Sequence, residues 1–259
     1  MAHTIYENIV LENKIENILT TAVDLQTYMT VDNTLATEPG MKKVIHTYVA
    51  AGNVENLDMG EGNTDEITVS FTSAEYPVEV TQGKFQYYDE QEMSDPMVVD
   101  TGLDGLAKTM VNDFVGKAIA EYNKATLTQT GASWSFDVVA DAIAKMSTED
   151  ETGLFLLISP EDKAAFRKNL REDLSYSEAF VRTGYIGTVC GVPVIVTKAV
   201  PANTGYLATK DAVTLFVKKG SEIAQVRDAD HRNNIVFARK VAVVALTDAN
   251  KVVKVTIGG

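Results

Sequence analysis

Three stretches of this sequence carry side chains that could do chemistry. "VRDADHRNN" packs Arg227, Asp228, Asp230, His231 and Arg232 into a few residues. There His231 could act as a general base oriented by a neighbouring carboxylate. No nucleophile or second base accompanies it, so a polar hairpin tip with paired charges fits the stretch better. "GNVENLDMGEGNTDE", from Gly52 to Glu66, holds three glycines and five carboxylates with no positive charge. A calcium loop needs Asp or Asn at the third and fifth places after its first Asp and Gly at the sixth; the run from Asp58 lacks that spacing. A dinucleotide cradle needs a third glycine and a following helix, and Gly60-Glu61-Gly62 is followed by neither. The lone cysteine, Cys190, lies in the apolar run "GTVCGVPVIV" and reads as a buried, inert thiol. His3, His46 and His231 have no His or Cys at metal-ligand spacing. The sequence therefore predicts no catalytic, cofactor-binding or metal-binding residue and no enzyme.

Composition narrows the classes further. The 259 residues are 45% hydrophobic and 23% charged, ordinary for a globular chain. No apolar run reaches the length of a membrane span, and "MAHTIYENIVLENK" has no secretory pattern. The net charge of −13 is unevenly placed. Residues 1–100 hold 4 Lys/Arg and 18 Asp/Glu, whereas residues 101–259 hold 19 and 18. No lysine or arginine occurs between Lys43 and Lys84. Such an acidic half repels nucleic acid, so sequence-specific DNA contact is not expected. It suits either a solvated face or a charge-matched contact with another chain.

The elements that would position these residues follow from periodicity. Leu11, Ile15, Ile18, Ala22, Leu25 and Met29 recur at spacings of four and three, a narrow apolar stripe along a helix. "EITVSFTS" alternates, with Ile67, Val69 and Phe71 on one side, and "YPVEVTQGKFQYYDE" alternates again. These read as long ribbons with too few apolar residues for a core of their own. Asp95 and Pro96 open a long helix carrying Leu103, Leu106, Met110, Phe114, Ile119 and Tyr122, which the spacing extends to about Leu127. Gly102 and Gly105 are expected to interrupt its first turn. "SFDVVADAIAKM" is a helix capped by Ser135 with Phe136, Val139, Ile143 and Met146 inward; "GLFLLIS" and "GVPVIVTKAV" are buried strands. Ser159 and Pro160 open another helix, with Asp162 completing a capping pattern. From "TGYLAT" onward the chain is β-rich. The narrow helix and the acidic ribbon are surfaces that a monomer would not need.

The order of these parts resembles the tailed-phage major capsid proteins of the Hong Kong 97 type. The stretch that carries it best is "YIGTVCGVPVIVTKAVPANTGYLATKDAVTLFVKKGSEIAQVRDADHRNNIVFARKVAVVALTDANKVVKVTI". A glycine-rich turn leads there to a Gly-x-Pro-Val strand, a short loop, "GYL", a Lys-Asp/Ala stretch and an Arg-Asp before the last strands. "GEG…I…S" ahead of the ribbon and "SDPMVVDTGLDGLAKTMVNDF" at the long helix extend it over most of the chain.

The resemblance implies an α+β capsid fold. Its parts would be an N-terminal arm (1–45), an extended loop (46–88), a peripheral domain (89–132 and 201–259) and an axial domain (133–200). It also implies hexamers and pentamers in an icosahedral virion shell around double-stranded DNA, assembled in the host cytoplasm. Partners would be further copies of the chain, a separate scaffolding protein (the arm-like helix starts near Tyr6), a portal and a cement protein. Some members weld the shell through a lysine on the extended loop; none occurs from 46 to 83, so contacts without covalent links are expected. The expected inter-subunit contacts are Leu11, Ile15, Ile18 and Leu25 on the arm, and Glu55, Asp58, Glu61 and Asp65 on the ribbon. The last four would face Arg167, Lys168, Arg171 and Arg182. An encapsulin-like compartment and a small α/β enzyme using His231 are the competing readings.

Overall fold

Local sequence sets the first elements of a computed structural model that describes residues 29–95, 97–147, 151–173 and 187–258, with the side chains of 170–173 left out. Strand β1 (Thr30–Asp32) is followed by β2 (Lys42–Ala51), β3 (Thr68–Pro77) and β4 (Glu79–Tyr88). A short helix α1 (Asp89–Ser94) precedes the long helix α2 (Met97–Tyr122). The Asp95 carboxylate accepts the Met97 N–H at 3.0 Å, so it caps α2 as its position predicts. Helix α2 spans about 39 Å at ~1.5 Å per residue. It stops at Tyr122, short of Leu127, because Leu127–Gly131 pairs in parallel with the last strand instead.

The expected break at Gly102 and Gly105 does not occur; α2 runs through both. A Cβ on Gly102 would lie 2.2 Å from the Phe85 ring, so the missing side chain lets β4 approach the helix. Phe85 is stacked on Tyr87 at 5.7 Å and packed against the core, so its ring has little room to move. Gly→Ala inside a helix ordinarily stabilises by about 1 kcal/mol. Gly102→Ala should instead lower the urea midpoint, by an amount equivalent to ~1–3 kcal/mol of overpacking; a raised midpoint would refute this close-approach role.

Two larger sheets flank α2. The first runs β1-β10-β11-β4, with β10 (Val213–Asp228) and β11 (Asn233–Leu246) as a long antiparallel hairpin. "AVTLFVKKG" and "SEIAQVRD" form that single strand β10, its register shifted between Val217 and Glu222. The second is β5-β12-β9-β6-β8-β7, made of β5 (Leu127–Gly131), β6 (Leu154–Ile158), β7 (Thr188–Val189), β8 (Val192–Val196), β9 (Thr204–Thr209) and β12 (Val252–Ile257). Helices α3 (Phe136–Met146) and α4 (Pro160–Asp173) complete the mixed α+β architecture.

The caps predicted for α3 and α4 form. Ser135 Oγ accepts the Val138 N–H, and Ser159 Oγ accepts the Asp162 N–H at 3.1 Å. The buried Asp162 carboxylate takes the Ser159 hydroxyl at 2.7 Å and the Asn203 N–H at 3.0 Å, tying α4 to the loop before β9. Val139 and Met146 face inward, while Phe136 is half exposed at the first turn of α3.

Strand β6 is buried on both faces, which explains its unbroken apolar run. Phe155 and Leu157 join the core around α2; Leu154, Leu156 and Ile158 join a second core with Trp134, Val139 and Phe166. A third cluster of Leu35, Val78, Phe216, Val243 and Ala245 covers part of the opposite face of the first sheet. Among the described residues no helix is long and apolar enough to cross a membrane.

Candidate assembly surface

Strands β2 and β3 pair only with each other, as a ten-residue antiparallel ribbon joined by the acidic stretch 52–67. The projecting ribbon thus comprises residues 42–77. The third alternating stretch, β4, belongs to the body: it pairs along its whole length with β11. Sequence alternation cannot tell a free ribbon strand from one at a sheet edge, since both expose one face.

The register assigns the ribbon's faces. Paired residues share a face, so Val44/Glu75, His46/Ser73, Tyr48/Phe71 and Ala50/Val69 lie together on one side. Lys43/Tyr76, Ile45/Ala74, Thr47/Thr72 and Val49/Ser70 lie on the other. The second face is anchored at its base. Ile45 and Tyr76 pack on the third core cluster, and the Tyr76 hydroxyl donates to the Leu246 carbonyl at 3.5 Å. Lys124 lies over the Tyr76 ring and Lys43 over that of Phe216. Burial pushes the Tyr76 phenol upward, with Glu121 adding to the effect. The first face is left uncovered. Tyr48 and Phe71 are 66% and 63% exposed with ring centroids 6.0 Å apart, and His46 lies edge-on to Phe71 at 5.8 Å. Val69 and Ile67 extend this apolar strip toward the tip, and Val44 toward the base. A two-stranded ribbon carrying exposed aromatics gains stability when another surface covers it.

At the tip, Asp58, Glu61 and Asp65 are exposed. Glu55 is turned back into the loop, where its carboxylate takes the Thr64 N–H at 2.8 Å and the Thr64 hydroxyl. Those two bonds hold its pKa below the usual carboxylate range. Arg167 and Lys168 are exposed on α4, and no ion pair joins them to the tip among the described residues. The side chain of Arg171 is outside the description, and Leu11, Ile15, Ile18, Leu25 and Arg182 lie outside the described residues. The uncovered aromatic face was not singled out from the sequence. Its signal was the phase shared by His46, Tyr48 and Ala50, which becomes a patch only once β3 is paired in register.

His231 stands at the tip of the β10–β11 hairpin. Its Nδ1 lies 2.8 Å from Asp228 Oδ2, and the two side chains are solvent-exposed. The His231 ring and N–H keep the Asp228 carboxyl below its ordinary range. Arg227 pairs with Asp89 at 2.7 Å and Arg232 with Glu90 at 3.0 Å, locking the tip to α1. These are the cross-element charge pairs of a hairpin tip. Cys190 is not fully buried, because it occupies the tight β7–β8 turn: both Cys190 and Gly191 have positive φ, as a two-residue hairpin turn requires. Partial burial, then Glu151 and Asp137, push its thiol upward, so little thiolate forms near neutral pH.

A family model described as phage capsid protein matches residues 72–255. Among curated proteins, the chain is 26% identical over 235 residues to the major capsid protein of Staphylococcus phage phiMR11, covering 88% of this chain and 85% of the relative. Two solved structures share the fold. The capsid of the native GTA particle superposes with a TM-score of 0.75 at 11% identity, over 91% of this chain and 90% of that one. The mature capsid of bacteriophage PhiM1 gives 0.67 at 12% identity, over 89% and 86%.

Proposed function

The chain belongs to the phage capsid protein family, and from that premise we propose how its surfaces build a shell. The fold is the Hong Kong 97-type capsid fold, and the chain is a phage major capsid protein, a structural component of the virion. Copies associate as hexamers and pentamers, and the ribbon of each lies over an adjacent copy. One observation carries this reading: the ribbon is anchored on one face and bare on the other, where Tyr48 and Phe71 are exposed. Covering that strip removes apolar surface from water at every subunit, and symmetry multiplies the gain.

The tip carboxylates Asp58, Glu61 and Asp65 meet basic side chains of the neighbour, with Arg167 and Lys168 the exposed candidates. The arm stripe of Leu11, Ile15, Ile18 and Leu25 docks on another copy. A separate scaffolding protein, a portal and a cement protein complete the particle around double-stranded DNA in the host cytoplasm. The acidic first hundred residues keep DNA from adhering to the wall, as counterion physics favours. The chemistry of such a protein is association, and His231 is spent on its own hairpin.

Size-exclusion chromatography and negative-stain microscopy of the purified chain test the reading. Particles hundreds of ångströms across, with and without scaffolding protein supplied, are expected; a monomer in every condition would overturn it. DNA in particles from infected cells supports the virion role, whereas a protein cargo would point to an encapsulin-like compartment. Charge reversal gives a second test. Asp58→Lys, Glu61→Lys and Asp65→Lys together should weaken each ribbon contact about tenfold, the sum of several surface pairs. The loss should shrink in high salt. Assembly unchanged at low salt would reduce these charges to a solubility feature.

A further inference from the structure

We propose that copy-to-copy contact through the bare ribbon face is proton-coupled through His46, so that acid weakens it. The inference rests on the ribbon-docking reading above and adds its regulation. His46 sits between the apolar residues of the face: Tyr48 follows two positions on, with ring centroids 6.3 Å apart, and Phe71 lies diagonally across at 5.8 Å. Its direct cross-strand partner is Ser73. The charged groups on the same face are Lys42 and Glu75, which pair with each other at 2.8 Å. Tyr48 is the only other titratable group on it. Glu75 is therefore already committed, its carboxyl held low by the Lys42 ammonium. The ribbon supplies no uncommitted carboxylate on this face to neutralise an imidazolium.

When a second copy covers Tyr48 and Phe71, the imidazole packed beside them leaves water too. Removing a charged ring from water is costly, so the covered state favours the neutral form. Imidazoles titrate at about pH 6.5 in water. The sign follows from linkage. A contact that binds fewer protons than its separated partners is at full strength above the imidazole range and weakens as pH falls through it. The limiting slope is about tenfold in the contact constant per pH unit. The general electrostatics run the other way. The chain carries −13 at pH 7 with an isoelectric point near 4.7, so acidification lowers repulsion between copies. Acid weakening would therefore need a specific group, and His46 is the histidine on the ribbon.

The test compares assembled wild-type shells with His46→Gln shells by light scattering and size exclusion at pH 7.5 and 5.5. The wild-type concentration needed for assembly should rise roughly tenfold between the two, while that of His46→Gln stays within about threefold. Calorimetric assembly at pH 6.5 in two buffers of different ionisation enthalpy should show proton release by the wild type and little by the variant. Equal acid responses, or a His46→Gln chain unable to assemble at pH 7.5, would overturn the proposal, because a neutral amide should suffice there. A Tyr48→Ser/Phe71→Ser chain in the same assay separates the two ideas. If it assembles normally at pH 7.5, the ribbon-docking reading itself fails. If it does not assemble, and the wild type ignores acid, only the proton coupling fails.

Discussion

A Tyr48→Ser/Phe71→Ser chain should fold with an unchanged body and form no shells. Both rings lie on the bare side of the ribbon, 66% and 63% exposed, and neither belongs to any of the three core clusters. Removing them costs the isolated chain little, and its melting temperature should stay within ~2 °C of wild type, as for surface changes away from core features. In a shell each ring would be covered, and burying a large apolar side chain contributes about 1.5–3 kcal/mol. Losing two such contributions weakens each contact by two orders of magnitude or more. The loss recurs at every subunit, so it removes the particle and does not merely thin the population. Thermal denaturation beside negative-stain microscopy checks both halves. Normal shells from this variant would move the assembly contact elsewhere on the molecule.

The body was legible in the sequence wherever one residue type had one physical use. Ser135, Ser159 and Asp95 are caps because short polar side chains at those places satisfy helix N–H groups, and each does so. "LFLLI" is a doubly buried strand because α2 covers one face and α3 and α4 the other. The misreadings share a cause, which is that the deciding partner was far away in sequence. Gly102 looks like a helix breaker until Phe85 is seen against it. Leu127 continues the helical period but is claimed by β12. Cys190 is the exception, since its own neighbours decide it: it lies in an apolar run yet turns a two-residue hairpin with Gly191. Strand β4 alternates like the ribbon yet completes the first sheet through β11.

The candidate surface was half legible. The missing lysines and the acidic tip stand out in one dimension. They drew attention to Glu55, which the fold spends on Thr64. The apolar face needs two strands paired in register before it exists at all. Its members are ordinary alternating residues until the pairing puts Tyr48 opposite Phe71. Its exposure also depends on which face the body covers, a choice made by Ile45 and Tyr76 at the base.

Tyr122→Ala should have the opposite phenotype, a weakened body that still assembles in the cold. Tyr122 is fully buried at the last turn of α2 and reaches across to the second sheet. Its ring is edge-on to Phe155 at 6.4 Å and stacked with Tyr206 at 6.0 Å. Burial raises its phenol far above the ordinary value, so the group stays neutral at any working pH. Truncating a buried aromatic to alanine costs about 3–5 kcal/mol through lost transfer energy and an unfilled cavity. For a chain of this size that corresponds to a drop of roughly 10 °C in melting temperature. Tyr122→Phe keeps the ring and should lose only about 1 kcal/mol, the worth of a typical hydroxyl interaction. The ribbon lies outside this core, so Tyr122→Ala shells should form below the new melting temperature. They should then dissolve on warming before wild-type shells do. If Tyr122→Ala melted with the wild type, the ring would not be what fastens α2 to the second sheet. If it folded in the cold without assembling, the body and the ribbon would be coupled more tightly than separate cores allow.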